Sequence, residues 1–217
     1  MGNISYEFKT KSQAVYTAIR EMITSGEHGP DEIFNSVDLA KKFGVSRTPV
    51  TEAVKMLEAK GFVTVLPGVG FKIRKPSTME ILELLEIRCA LELLAIRRAV
   101  RLRCQKDVAN LENILNKIKN CVKTEEMDEY LRLNEEFHFA LYDLSRYNHL
   151  IQLQRDLWDW EGWYANELYD TPHDIEVLLE DHYKIVKCLK DRAIEESEKV
   201  AHEHWRHCVE VLQKKIK

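Results

Sequence analysis

Hydrophobic positions along the chain follow two regimes that meet near residue 76. In the first, short apolar stretches are repeatedly broken by glycine, proline and small polar residues. Val15, Ile19 and Ile23 share one face of a helix predicted over Ser12 to Ser25, which the stretch from Gly26 to Pro30 ends. Ser36 is expected to cap a short helix carrying Leu39, Ala40 and Phe43, with Gly44 as the left-handed residue that closes it. Ser46 is expected to cap the next helix, where Val50, Val54 and Leu57 repeat at helical spacing until Gly61. Phe62 to Leu66 and Gly70 to Arg74 are rich in β-branched and aromatic residues. Pro67-Gly68 between them predicts a small hairpin.

In the second regime punctuation nearly disappears: beyond Pro76 the chain has one proline, Pro172, and one glycine, Gly162. Ser77-Thr78-Met79-Glu80 reads as a capping box opening a helix to about Leu102. Asp107, Thr124, Asn148, Thr171 and Asp191 are candidate N-caps, and Pro172 suits a first helical position. These signals predict about six helices with no fixed repeat, for which an antiparallel bundle is the simplest packing. The expected fold is therefore mainly α: a winged helix-turn-helix over residues 1–75, then an antiparallel all-α helical bundle over 76–217.

Composition changes this picture little. A hydrophobic fraction of 45% and a charged fraction of 31% are those of an ordinary globular protein. There is no long apolar run, and no basic-then-apolar leader in Met1 to Thr10, so the expectation is a cytoplasmic protein with no membrane partner. The five cysteines form no CxxC pair, which argues against a zinc ribbon or disulfide framework and for small buried apolar residues. The net charge of −4 hides an asymmetry: residues 1–75 carry +3 and the remainder −7. A mildly basic head on an acidic body is compatible with DNA binding by the head.

Residues 36–61 hold a short helix, a tight glycine turn and a second helix that starts with small polar and basic residues, the pattern of a helix-turn-helix. In that arrangement the first residues of the second helix face base edges in the major groove. Arg47 can grip a guanine through two hydrogen bonds, and Ser46 and Thr48 can reach phosphates or bases. Ser36, Lys41, Thr51 and Lys55, with the wing glycines Gly68 and Gly70, complete the candidate DNA-binding set. Spacing alone leaves open a helix pair with no DNA role. The run Gly44-Val45-Ser46-Arg47-Thr48-Pro49-Val50, then Glu52-Ala53-Val54, Leu57-Glu58, Gly61-Phe62-Val63 and Gly70, resembles the GntR family of bacterial regulators over roughly residues 11–74. The resemblance implies a double-stranded DNA operator. Two positions depart from it: Thr51 stands where the family usually has arginine, and Val37 where a basic residue is frequent. Lys41, Lys42 and Lys55 are candidate substitutes.

From about Thr78 onward the chain resembles the FCD ligand-binding domain of the FadR-like branch. The resemblance is carried by Glu86-Ile87-Arg88, Leu91-Glu92, Asn134-x-x-Phe137-His138, Asp181-His182 with Ile185, and His204. It implies a divalent metal ion, zinc, nickel or similar, held by Asn134, His138, His182 and His204. The residues allow this. Asn134 and His138 lie one turn apart on a face shared with Met127, Leu131 and Leu141. His182 lines up with Leu178, Ile185 and Leu189, and His204 with Ala201, Cys208 and Val211, so three imidazoles on inward faces can converge. Each histidine taken singly reads first as an ordinary hydrogen-bonded core or surface residue rather than a ligand, and His202 and His207 are expected to be solvated. Asn134 replaces the usual aspartate and removes one negative charge. Arg88 is the candidate effector-binding residue, able to clamp a carboxylate, with an ion pair to Glu92 or Glu86 as the alternative. The resemblance implies a small organic acid as effector. Trp158, Trp160, Trp163 and Tyr164 are candidates for pocket wall, core or dimer contact.

These features predict a homodimeric transcription regulator with no catalytic residues, in which effector binding shifts the bundle and so the two recognition helices. The rival is a metalloenzyme, since Glu135-x-x-His138 is half of a di-iron carboxylate motif. No second Glu-x-x-His precedes His182 or His204, and no nucleophile motif or phosphate loop is present. A DNA-binding protein without a ligand would leave the inward histidines and Arg88 unexplained.

Overall fold

The computed structural model describes residues 10–24, 28–29, 32–124, 126–161, 165–169 and 171–215. The chain divides into two compact units, Met1–Pro76 and Ser77–Lys217.

In the first unit, α1 (Lys11–Thr24) buries Val15, Ile19, Met22 and Ile23 and packs on α3 (Arg47–Ala59), which buries Val50, Ala53, Val54 and Leu57. Fully burying an aliphatic side chain of this size stabilises the fold by about 1.5–3 kcal/mol, so this apolar seam holds α3 in place. Between them lies α2 (Ser36–Phe43), closed by Gly44 at φ 64, whose N–H donates to the Ala40 and Lys41 carbonyls. The N-cap of α2 is Asn35, not Ser36: the Asn35 side chain accepts from the Val37 N–H at 2.7 Å, leaving Ser36 as the first helical residue. The amide suits this position as well as a hydroxyl does, so the sequence signal was ambiguous by one residue. Ser46 is the N-cap residue of α3, but its hydroxyl makes no capping hydrogen bond.

The predicted hairpin is present as β2 (Val63–Leu66) and β3 (Gly70–Ile73), antiparallel with Val63 opposite Ile73 and Leu66 opposite Gly70. A third strand, β1 (Ile33–Phe34), completes a sheet of order β1-β3-β2 and was not foreseen. Two residues are too few to show a period of two. Gly70 belongs to this junction: a Cβ on it would lie 2.1 Å from the Phe34 carbonyl oxygen, so only glycine admits β1.

Among the described residues the second unit is all helical: α4 (Thr78–Leu102), α5 (Gln105–Thr124), α6 (Met127–Asp143), α7 (Asn148–Trp158), the short α8 (Ala165–Leu168), α9 (Pro172–Asp191) and α10 (Ile194–Lys215). The long helices are joined by short connections, and α10 packs on α9 and α4, α5 on α6 and α9, and α4 on α6 and α7. Among the described residues no helix is long and apolar enough to cross a membrane.

The capping box at Ser77 and Glu80 forms in both directions, and Thr171 caps α9 by accepting from the Asp174 N–H, with Pro172 in the first turn. The other predicted caps play different parts. Asp107 reaches back from inside α5 to the Cys104 N–H at 2.7 Å. Thr124 ends α5, its hydroxyl donating to the Asn120 carbonyl. Asn148 is the first residue of α7 behind Tyr147, and Asp191 ends α9 before Arg192, left-handed at φ 58. Short polar side chains bond local backbone at either helix end, which is why sequence alone misplaced them. Cys121, Cys188 and Cys208 are buried, and all five cysteines are free thiols.

Candidate functional site

The helix-turn-helix presents its polar edge to solvent. Ser46, Arg47, Thr48, Thr51 and Lys55 are all exposed, opposite the buried seam of α3. Lys41 is exposed in the last turn of α2. Thr51 donates its hydroxyl to the Arg47 carbonyl at 3.0 Å, so it serves its own helix backbone. Ser36 is half-buried, and Gly68 is exposed at the wing turn with φ 75. Arg74 at the end of the wing is structural, its Nε donating to the Gly61 carbonyl at 2.6 Å.

In the bundle, α6, α9 and α10 bring His138, His182 and His204 together. All three are buried, and one ligand atom from each lies within 4.8 Å of the others. The rings of His182 and His204 are 4.6 Å apart, and those of His138 and His182 4.9 Å. Leu178, Ile185, Leu189, Ala201, Cys208, Val211 and Leu141 are buried on the faces assigned to them, but Met127 is exposed at the start of α6. His138 donates from Nδ1 to Glu92 Oε2 at 3.0 Å, which fixes its tautomer and leaves Nε2 for a ligand. Tyr142 donates to the same carboxylate oxygen at 2.5 Å. Among the described residues, neither ring nitrogen of His182, nor Nδ1 of His204, has a hydrogen-bond partner. Buried polar atoms are normally paired, so a cluster of orphaned imidazole nitrogens fits a cation-binding site.

The electrostatics agree. Burial, joined by the charges of His204 and His138, holds His182 well below the usual imidazole range. Burial first, with His138 and His207, brings His204 down to about 4 against the opposing pull of Glu92 and Asp181. Both rings are therefore neutral at pH 7, the form that ligates metals. Burial pushes the Glu92 carboxyl up. The charge and hydrogen bond of His138, the charge of His204 and the Tyr142 hydroxyl together outweigh it and hold Glu92 at about 2. His207 departs from the expected solvated position: it is half-buried, and its Nδ1 lies 2.6 Å from Asp181 Oδ2, while His204 Nδ1 lies 3.9 Å from that oxygen. His202 is exposed.

Arg88 and Asn134 sit beside this cluster. Arg88 is 2% exposed, with its guanidinium carbon 4.1 Å from the centre of the Trp158 ring and 5.0 Å from that of Trp205. It forms an ion pair with Glu161, at 3.8 Å, rather than with Glu86 or Glu92. The Trp158 ring also lies 5.2 Å from that of His138, so one indole spans the arginine and the histidines. Asn134, buried one turn before His138, donates to Tyr169 Oη at 3.1 Å, and Tyr169 donates to Glu161 Oε1 at 2.8 Å. Trp163 and Tyr164 lie outside the described residues. Glu161 and Tyr169 were missed as site residues. The available signal was an acidic residue set inside the aromatic stretch from Trp158.

A winged helix-turn-helix joined to a helical bundle with a buried polar centre defines a DNA-binding transcription regulator. Residues 11–73 match the bacterial regulatory proteins of the gntR family, and residues 83–207 match the FCD domain. The chain is 30% identical over 199 residues to the uncharacterized HTH-type transcriptional regulator YdhC of Bacillus subtilis, covering 91% of this chain and 89% of that protein. It is also 30% identical over 202 residues to the Uxu operon regulator of Haemophilus influenzae, covering 85% of this chain and 73% of the other. The solved structure of E. coli McbR/YncC shares the fold, with a TM-score of 0.82 at 23% identity over 96% of this chain and 99% of that one. The protein belongs to the GntR family of bacterial transcription regulators and carries an FCD domain. Its relatives are regulators, which sets the metalloenzyme reading of Glu135-x-x-His138 aside.

Proposed function

We infer that this regulator binds its operator as a homodimer and that a small carboxylate, bound in a metal-containing pocket of the bundle, sets its affinity for DNA. The observation that carries the reading is the convergence of three buried imidazoles, His138, His182 and His204, beside the buried guanidinium of Arg88. The imidazoles would hold a zinc- or nickel-type divalent ion, with Asn134 on the same face of α6. Such an ion supplies a cationic centre for carboxylate oxygens. Glu92 orients His138, and Arg88 offers paired donors to an acidic group. On the head, Arg47 at the start of α3 reads bases, with Ser46, Thr48, Lys55 and Lys41 on bases or phosphates. Dimerisation follows from operator logic, since one short recognition helix reads few base pairs. Coupling requires that the carboxylate prefer one arrangement of the protein over another.

The test is fluorescence anisotropy of the full chain on an operator selected from random duplexes, in chelator, in zinc, and in zinc with acetate, succinate or citrate. The expected result is sequence-specific binding whose strength a carboxylate changes only in the metal-loaded protein. DNA binding indifferent to metal and to all three acids would overturn the proposal.

A further inference from the structure

We propose that Glu161 is a built-in stand-in for the effector's acidic group: its carboxylate neutralises Arg88 in the effector-free protein and must be displaced when an external carboxylate binds. The proposal rests on the reading of Arg88 as an effector clamp. Glu161 and Arg88 are 7% and 2% exposed, so this is a buried ion pair. Its geometry is incomplete. The guanidinium Nη2 lies 3.8 Å from Glu161 Oε2, beyond hydrogen-bond reach, and that oxygen has no hydrogen-bond partner among the described residues. A buried charge pair held this loosely recovers little of its desolvation cost. An incoming carboxylate that makes the bidentate contact guanidinium favours can therefore replace it.

Glu161 is not loose at its other end. Tyr169 donates to Oε1 at 2.8 Å, and burial together with the neighbouring Glu161 charge keeps that phenol protonated at neutral pH. Asn134 donates to the Tyr169 oxygen. The carboxylate is thus presented to Arg88 from a fixed hydroxyl, as a ligand's acidic group would be. Trp158 and Trp205 flank Arg88 on its faces and give the exchange an optical readout. Glu161 lies three residues beyond the end of α7, whose last residue is the Trp158 that stacks near Arg88.

The apparent affinity of Arg88 for an external acid is reduced by the fraction of time it is paired internally. Removing the internal charge with Glu161→Gln, which keeps an acceptor for Tyr169, is expected to tighten binding of acetate, succinate or citrate to zinc-loaded full-length protein by about tenfold. Tyr169→Phe, which only frees Glu161 from its anchor, is expected to tighten it by a smaller factor. Glu161→Asp is expected to leave it within a factor of about two. Binding is read by tryptophan fluorescence and by calorimetry, with circular dichroism confirming helical content. Unchanged or weaker binding in folded Glu161→Gln and Tyr169→Phe, while wild type binds these acids, overturns the stand-in but not the carboxylate reading. If Glu161→Gln does not fold, Tyr169→Phe decides alone. Failure of wild type and both variants to bind any of the three acids, with zinc binding intact, overturns both.

Discussion

His182 allows a sharp separation between a metal ligand and a core residue. Its ring is 2% exposed, and both nitrogens lack hydrogen-bond partners among the described residues. Each unsatisfied buried polar atom costs about 1–3 kcal/mol, so in chelator-treated protein this imidazole is a liability. Leucine has similar bulk and no polar atoms, and Phe137, 4.5 Å away between rings, offers it an apolar neighbour. His182→Leu is therefore expected to melt at the same temperature as chelated wild type, or a few degrees above it. Zinc reverses the order. A ligand at 100 times its Kd stabilises the folded state by about 2.7 kcal/mol. In a chain of this size each kcal/mol moves the melting point by about 2–4 °C, so wild type should gain roughly 5–10 °C. His182→Leu should gain nothing. Differential scanning calorimetry of both proteins, with EDTA and with zinc fixed at 100 times the wild-type Kd, gives all four values. A zinc-indifferent wild type, or a His182→Leu protein several degrees less stable in EDTA, would mean that the ring is ordinary core packing.

Arg47→Ala is expected to cost about 1–3 kcal/mol of specific operator binding by anisotropy, with no change in melting, because the side chain is exposed; undiminished binding would refute the recognition role. Gly70→Ala places a methyl 2.1 Å from the Phe34 carbonyl oxygen and is expected to destabilise the N-terminal unit by about 2 kcal/mol or more; an unchanged chemical-denaturation midpoint for that unit would show that β1 is dispensable. In the chelated protein His204 titrates at about 4 against 6.5 unfolded, so its penalty is absent above pH 6.5, grows as the pH falls, and is complete below about 4. That amounts to about 3 kcal/mol, with His182 acting in the same direction, and urea midpoints that stay flat from pH 7 to 4 would contradict it.

Much of this architecture was legible because local chemistry and periodicity agree. Gly44, the capping box at Ser77 and the Thr171-Pro172 pair each have one reasonable reading, and the structure uses them accordingly. The inward line of each histidine was legible because a helix of period 3.6 that carries Leu178, Ile185 and Leu189 inward carries His182 with them. What failed was information that spacing does not contain. β1 is defined only by its pairing with β3. Asp107, Thr124 and Asp191 carry cap chemistry but sit inside or at the far end of helices. The partner of Arg88 was sought one turn away at Glu92 or in the same turn at Glu86, and the structure supplies Glu161, far along the chain. Glu92 is instead spoken for by His138 and Tyr142, a choice that depends on how α4 meets α6.

The departure at position 134 takes on a different meaning once the buried charges are considered together. Among the described residues, Glu92, Asp181 and Glu161 are buried in the bundle with the guanidinium of Arg88. Lys184 answers Asp181 from the exposed side at 3.0 Å, and His207 approaches the other oxygen. Set against Arg88 and Lys184, the three carboxylates keep this part of the bundle anionic without an aspartate at 134. The amide also does something a carboxylate cannot. Its N–H donates to Tyr169 Oη, and that oxygen, already accepting, directs its own proton to Glu161. An ionised aspartate in its place would compete with Glu161 for the single phenolic proton. The asparagine that looks like a weakened ligand in the sequence is therefore the first donor of a chain that runs through Tyr169 and Glu161 to Arg88. It ties the histidine-bearing face of α6 to the carboxylate proposed above as the effector's stand-in.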